Sequence, residues 1–313
     1  MRTAFIETLC ELAAADERIW LLTGDLGFSV LEAFSGRFPG RYVNVGVAEQ
    51  NLAGVAAGLA RCGKVPFIYS IANFPTLRCL EQIRNDICYH GGDVKVVAVG
   101  GGFAYGSHGY THHGIEDLGV MRMLPGMTVV APGDPVEARL ATAAIARHPG
   151  PCYLRLGKGR EPVVHPHPPD FALGRALPVR PGRDVTIIAA GAVLHEAATA
   201  AAALAGDGID AAVLSMPTIK PIDAEAVVRA ARRTGAIVTA EEHSVTGGLG
   251  SAVAEVLAES GVPVRFRRFG VRDAVQHAVG SQAYLLRLLA GDLRATVAAL
   301  LAREGVDSPP SPS

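Results

Sequence analysis

Cysteine is scarce and unpatterned in this sequence: Cys10, Cys62, Cys79, Cys88 and Cys152 are odd in number, scattered, and never form a Cys-x-x-Cys pair. That argues against a disulfide scaffold and a cysteine zinc site and fits a reducing cytoplasm. Lysine clusters and basic stripes are also missing, and the net charge is -1. Neither nucleic acid nor a membrane surface would meet the positive field it requires. No uninterrupted apolar run reaches the ~20 residues of a membrane span. The opening Met1-Arg2-Thr3-Ala4-Phe5-Ile6-Glu7 lacks the apolar region of a signal peptide. The expectation is a cytoplasmic protein, with no nucleic-acid or membrane partner, that handles small molecules and other proteins.

What is present is globular material. The 313 residues are 49% hydrophobic and 19% charged, enough for two compact domains. An apolar helical pattern from Thr3 to Ala15 precedes the strand-like Arg18 to Thr23. Further strands are expected at 41–43, 65–69, 94–99, 128–130 and 152–155, separated by helices at 52–60, 75–89, from about 115, and at 135–147. This alternation implies an α/β fold whose mostly parallel sheet is flanked by helices. A second alternation runs from Asp184 to about Arg303. The expected organisation is therefore a first domain at 1–156, a linker at 157–183, a smaller α/β domain at 184–305, and a disordered proline-rich tail at 306–313. His165 and His167, flanked by prolines, read as solvated linker.

The chemistry-bearing residues cluster at predicted strand ends, where open parallel sheets bind ligands. Glu49 follows Asn44-Val45-Gly46-Val47-Ala48 and opens a small-residue helix. It is either a charge favoured by the helix dipole or a carboxyl kept protonated by apolar surroundings so that it can donate to a ligand. The loop Gly100 to Gly114 carries His108, His112 and His113 without a thiol or carboxylate at ligand spacing. Histidines there suit hydrogen bonding to substrate or proton transfer better than a metal; His113 can equally be a surface residue without a role. Asp25 and Ser29 read as a strand-to-helix turn. Arg155 suits an anionic substrate group or a salt bridge. Gly247-Gly248-Leu249-Gly250 fails as a dinucleotide fingerprint, because Glu241 to Thr246 intervenes and the third glycine is Val253.

Taken together, Gly-Val-Ala-Glu-Gln-Asn at 46–51, Glu-Gln-Ile-Arg-Asn at 81–85, Thr-His-His-Gly-Ile-Glu-Asp-Leu at 111–118, Met-Thr-Val-Val-Ala-Pro at 127–132 and Gly-Gly-Leu-Gly-Ser-Ala-Val at 247–253 resemble the carboxyl-terminal half of transketolase, of the kind found as a separate subunit. The resemblance spans nearly the whole ordered chain. It implies a pyrimidine-binding domain followed by a transketolase C-terminal-like domain, thiamine diphosphate as cofactor, and transfer of a two-carbon ketol unit from a sugar-like ketose. Glu49 then matches the glutamate that hydrogen-bonds the aminopyrimidine, Phe74 the aromatic stacked on it, and Asp25 an acid near the cofactor. Ile71 stands where the family has a second phenylalanine. His112 matches the histidine that bonds the donor oxygens, and Arg2, Ser29 and Arg155 match sugar-phosphate contacts.

Two departures concern the substrate. Sugar transketolases carry an aspartate four residues before the Thr-His histidine and another histidine eight residues before that aspartate; here these positions are His108 and Gly100. An imidazole in place of an acceptor-only carboxylate changes the hydrogen-bond code, which implies a non-standard donor or acceptor. The magnesium and diphosphate motif, Gly-Asp-Gly with an asparagine some 25 to 30 residues on in the family, is also incomplete. Gly206-Asp207-Gly208 is present, but the four asparagines are Asn44, Asn51, Asn73 and Asn85. The expectation is no metal site in this chain, a helix-to-strand turn at 206–208, and a partner subunit that holds diphosphate and magnesium in an α2β2 assembly with self-association through the pyrimidine-binding domain. Competing readings are the β subunit of a 2-oxo acid dehydrogenase and a non-catalytic scaffold subunit.

Overall fold

The computed structural model describes residues 1–302. Two sheets organise them. The first contains β1 (Ile19–Thr23), β2 (Tyr42–Asn44), β3 (Val65–Ile71), β4 (Lys95–Val99), β5 (Thr128–Val130) and β6 (Cys152–Leu156); the second contains β7 (Leu177–Arg180), β8 (Val185–Ala190), β9 (Ala211–Ser215), β11 (Ala236–Ser244) and β12 (Arg265–Val271), while β10 (Thr218–Lys220) crosses back to the first. The strand orders are β10-β5-β6-β4-β3-β1-β2 and β12-β11-β8-β9-β7. Every pairing is parallel except β10 with β5 and β7 with β9. β4, β6 and β8 are buried along their whole length, as parallel strands covered on both faces require.

The helices that cover the sheets start and stop where local chemistry dictates. Helix Pro135–Arg147 opens on proline, and the Asp134 carboxylate accepts from the Glu137 amide at 2.7 Å. Helix Ala224–Thr234 is capped in the same way by Asp223 and ends at Gly235, whose φ of 62° is the left-handed stop that glycine tolerates.

Four expectations need correction. The helix expected at 75–89 is a turn of α-helix at Leu80–Gln82 continued as a π-helix at Ile83–Cys88. Pro75 lacks an amide donor and the Thr76 hydroxyl bonds back to the Ala72 carbonyl at 2.7 Å, so regular helix starts late. The expected linker 157–183 contains β7; Pro178 is accommodated because β7 is an edge strand. His165 is buried rather than solvated. Its Nε2 lies 2.7 Å from the Glu137 carboxylate, and its amide donates to Asp134 at 2.9 Å. The two cores also merge: one apolar cluster runs from Leu52 and Ile83 through Met121 and Val129 to Ile188, Val227 and Leu249. The tail expected at 306–313 lies outside the described residues. No described helix is long and apolar enough to cross a membrane.

Candidate active site

Glu49 opens the helix Glu49–Arg61 just beyond β2, buried to 5% exposure at the back of a cleft of about 430 Å³ formed by Val47 to Asn51 and Arg78. Its surroundings are not wholly apolar. The Arg78 guanidinium stands 3.3 and 3.4 Å from the two carboxylate oxygens and 4.2 Å from the Phe74 ring centroid. A planar cation thus spans the carboxyl and the aromatic face. Phe74 also meets His112, edge to face, with centroids 5.2 Å apart. Ile71, at the end of β3, packs against the apolar core beneath.

His112 belongs to a loop fastened at three points. Gly102 and Gly114 exchange backbone hydrogen bonds at its neck, at 2.7 and 2.9 Å. Asn73, beyond β3, donates to the His113 carbonyl at 2.5 Å. The Phe103 amide donates to Glu242 of the second domain at 2.8 Å. Within this frame the His108 and His112 rings lie 5.0 Å apart, and the Thr111 hydroxyl is 3.0 Å from His112 Nδ1. Burial lowers the His112 pKa, and the positive charges of His108, Arg78 and His113 lower it further. A neutral imidazole at neutral pH can donate from one nitrogen and accept at the other.

The remaining candidates divide. Arg2 opens the first helix, half-buried, with its charge felt by Tyr69 and Tyr105. Asp25 and Ser29 occupy the turn after β1, outside the contacts that join Glu49, Phe74, His108 and His112. Both adopt left-handed backbone, with φ of 58° and 62°. Such strain in residues other than glycine is held only where surrounding structure fixes it: Asn44 grips Asp25 through two 3.0 Å hydrogen bonds, and Glu32 accepts from the Ser29 amide at 2.8 Å. Arg155 is corrected from substrate contact to salt-bridge partner. It is 5% exposed, donates to Asp117 at 2.9 Å, and its Nη2 donates to the carbonyls of Gly114 and Glu242. His113 is corrected from surface residue to core, packed edge-on against Phe103 at 5.1 Å.

Three contributors escaped the sequence reading. Arg78 lies four residues beyond Phe74, in the turn that leads into Leu80–Gln82. Asn73 adjoins it. Glu242 sits in Glu241-Glu242-His243, an acidic pair closing a buried strand, and that pattern is the available signal. The helix terminus at the glycine run 247–250 is filled from within by Glu241, whose carboxylate accepts from the Leu249 and Gly250 amides, both at 2.7 Å.

Most of the sequence matches known relatives. Two family descriptions match it, "Transketolase, pyrimidine binding domain" over residues 1–162 and "Transketolase, C-terminal domain" over residues 174–289. The chain belongs to the transketolase family. Among relatives it is similar to 6-deoxy-6-sulfo-D-fructose transketolase subunit SqwH of Clostridium sp. (strain MSTE9), 46% identical over 274 residues that cover 87% of this chain and 85% of the relative. It is also similar to a subunit of the apulose-4-phosphate transketolase of Phocaeicola vulgatus, 43% identical over 274 residues, 87% of each. A solved structure described as a split gene transketolase, inactive beta4 tetramer, matches with a TM-score of 0.87 at 43% identity, over 96% of this chain and 97% of that one.

The transketolase family depends on thiamine diphosphate, and the residues present fit one half of it. A buried carboxyl beside an aromatic ring suits the aminopyrimidine. Among the described residues no group of three or more His, Cys, Asp or Glu side chains is placed to hold a metal ion. Asp207 of the Gly-Asp-Gly run lies in a helix-to-strand turn, where Arg294 grips both its carboxylate oxygens at 2.5 to 2.8 Å.

Proposed function

We propose that this chain is the pyrimidine-binding subunit of a two-chain transketolase that transfers a two-carbon ketol unit from a ketose to an aldehyde or carrier acceptor. The observation that carries this reading is the continuous run Glu49, Arg78, Phe74, His112, His108 along one rim of the first sheet. Thiamine diphosphate, when bound, supplies the carbon nucleophile. Glu49 would hold a proton at the aminopyrimidine ring, and Phe74 would give that ring a flat apolar neighbour. Arg78 now covers both groups and has to swing away. Its side chain is half exposed, so it is free to do so. His112 would bond the donor oxygens, with His108 as a second imidazole beside it. Asp25 is assigned to the cofactor's surroundings, and Arg2 and Ser29 to the substrate side. With Nε and Nη2 of Arg155 committed to Asp117 and to backbone carbonyls, the oxyanion end of a sugar is assigned to Lys158, three residues further on, in the exposed turn that follows β6.

A partner subunit holding magnesium and diphosphate in an α2β2 assembly, with contact between pyrimidine-binding domains, is part of the proposal. It is supported by the engaged Asp207, by the relatives' naming as subunits, and by the description of a similar β-only tetramer as inactive. A cytoplasmic location is likewise proposed, supported by five free thiols. Calorimetry of thiamine diphosphate with the lone chain and with the chain plus partner tests the reading. Tight magnesium-dependent binding is expected only for the pair, and tight binding by the lone chain rules the division of labour out.

A further inference from the structure

Tyr105 has no part in the assignments above, yet it occupies the middle of the substrate side. Immediately beyond β4, Gly100 has a φ of 78°, and a Cβ placed on it would lie 2.1 and 2.3 Å from Cε2 and Cδ2 of Tyr105. The ring therefore lies directly on bare backbone, in the volume that any side chain at position 100 would claim. His108 meets the same ring edge-on with centroids 5.7 Å apart, His112 lies at 6.3 Å, and the Lys158 ammonium stands 4.5 Å from the ring centroid. The body of the side chain is thus held on several sides. Its hydroxyl makes no hydrogen bond among the described residues and is not sealed from solvent.

A fixed ring with an uncommitted polar tip is the form of a ligand-reading side chain. Burial raises the phenol pKa against the opposing charge of Arg2, so at neutral pH the group remains an O–H that both donates and accepts. The two imidazoles and the ammonium around it carry no carboxylate among them, so an oxygen-rich ligand is favoured over a cationic one.

We propose that Tyr105 is a specificity-determining residue of the donor site, its hydroxyl binding a hydroxyl of the ketose while its ring over Gly100 sets the shape of the pocket beside His108 and His112. This rests on the ketol-transfer reading. The Gly100 and Tyr105 pair acts as one unit: removing the glycine displaces the ring, and removing the ring opens a hollow over the glycine.

The test uses the enzyme assembled with its diphosphate-binding partner and a panel of ketose phosphates, ketose sulfonates and their deoxy analogues. Tyr105→Phe keeps the ring and removes only the hydroxyl. It is expected to raise the donor KM about fivefold to tenfold, with kcat, thiamine diphosphate affinity and Tm unchanged. The loss should vanish for the deoxy analogue that lacks the paired hydroxyl. Tyr105→Ala should narrow the preference between good and poor donors. Wild-type turnover with an unchanged donor KM in Tyr105→Phe overturns the proposal alone. No wild-type turnover on any donor overturns the ketol-transfer reading and the proposal with it.

Discussion

Glu49 and Arg78 form a pair whose members have opposite surroundings, one carboxyl 5% exposed and one guanidinium 52% exposed. Because the arginine is half in water, its attraction to Glu49 contributes at most about 1 kcal/mol to folding. Arg78→Ala should therefore leave Tm within a few degrees of wild type. It should also tighten thiamine diphosphate binding to the assembled enzyme several-fold, because a competing cation has gone; weaker binding in calorimetry would show that Arg78 holds the ligand instead of covering its place. Glu49→Gln keeps the shape and loses the titratable proton. The loss expected is about 10² to 10⁴-fold in kcat, the range for a positioned acid or base, and unchanged turnover would remove Glu49 from the mechanism. His112 adds a pH signature. Its pKa is depressed, so its neutral form contributes stability above the ordinary histidine value near 6.5, and this is lost as pH falls through the folded value. A ring titration by NMR should place its midpoint below 6.5.

At the scale of elements, the histidine loop is held by a strand of the other domain. Glu242 accepts from the Phe103 amide at 2.8 Å and from Gln282 at 2.7 Å, and burial pushes its carboxyl up to about 7. A folded value above the unfolded one near 4.5 means that its stabilising contribution is complete below 4.5 and is lost as pH rises through about 7. Glu242→Gln keeps an acceptor oxygen for the Phe103 amide and, with the Gln282 amide flipped, donates to Gln282 in place of accepting from it, without ionising, so the fall in Tm between pH 5 and pH 8 should shrink in thermal melts; an identical pH profile would falsify this account. His165 has the same sign for a different reason: the hydrogen bond to Glu137 raises it, so that clasp too weakens as pH rises through its folded value. His165→Ala leaves a fully buried carboxylate short of its partner, and about 3 kcal/mol of stability should be lost in denaturant melts. These elements also show where the sequence was readable. Glu49 stood out because a charge opens a run of alanine and glycine, and the parallel strands because they are continuous apolar runs. β7 was hidden by Pro178, and the clasp at His165 by its proline neighbours, since proline-rich composition reports what a segment cannot form and says nothing of what it is pressed against. Arg78 was hidden because it lies in a turn and its carboxylate partner is 29 residues away, at the start of helix Glu49–Arg61.

For the whole molecule, the family match gives two domains, but the contacts argue for one cooperative body. β10, which follows the second domain's β9 in the chain, pairs with β5 of the first sheet through Thr218 to Val130 and Lys220 to Val129. Lys220 then caps the carbonyls of Arg122 and Leu124, at 3.0 and 2.5 Å. Arg155 joins Asp117 of the first domain to the Glu242 carbonyl of the second, with Tyr153 donating to the same aspartate at 2.5 Å. Phe103 and Ile115 bury their side chains against Val271, Leu285 and Leu289. A chain cut after residue 162 would keep the Arg155 and Tyr153 bonds to Asp117 but lose every contact above that reaches the second domain. It would bare the outer edge of β5, leave Arg155 short of an acceptor, release the loop that carries His108 and His112, and expose the shared apolar cluster. Such a fragment is expected to lack a cooperative melt and to aggregate, while the intact chain unfolds in a single calorimetric transition. If the fragment instead melted cooperatively within a few degrees of the whole chain, the second domain would be an appendage, and the histidine loop would owe its shape to the first sheet alone.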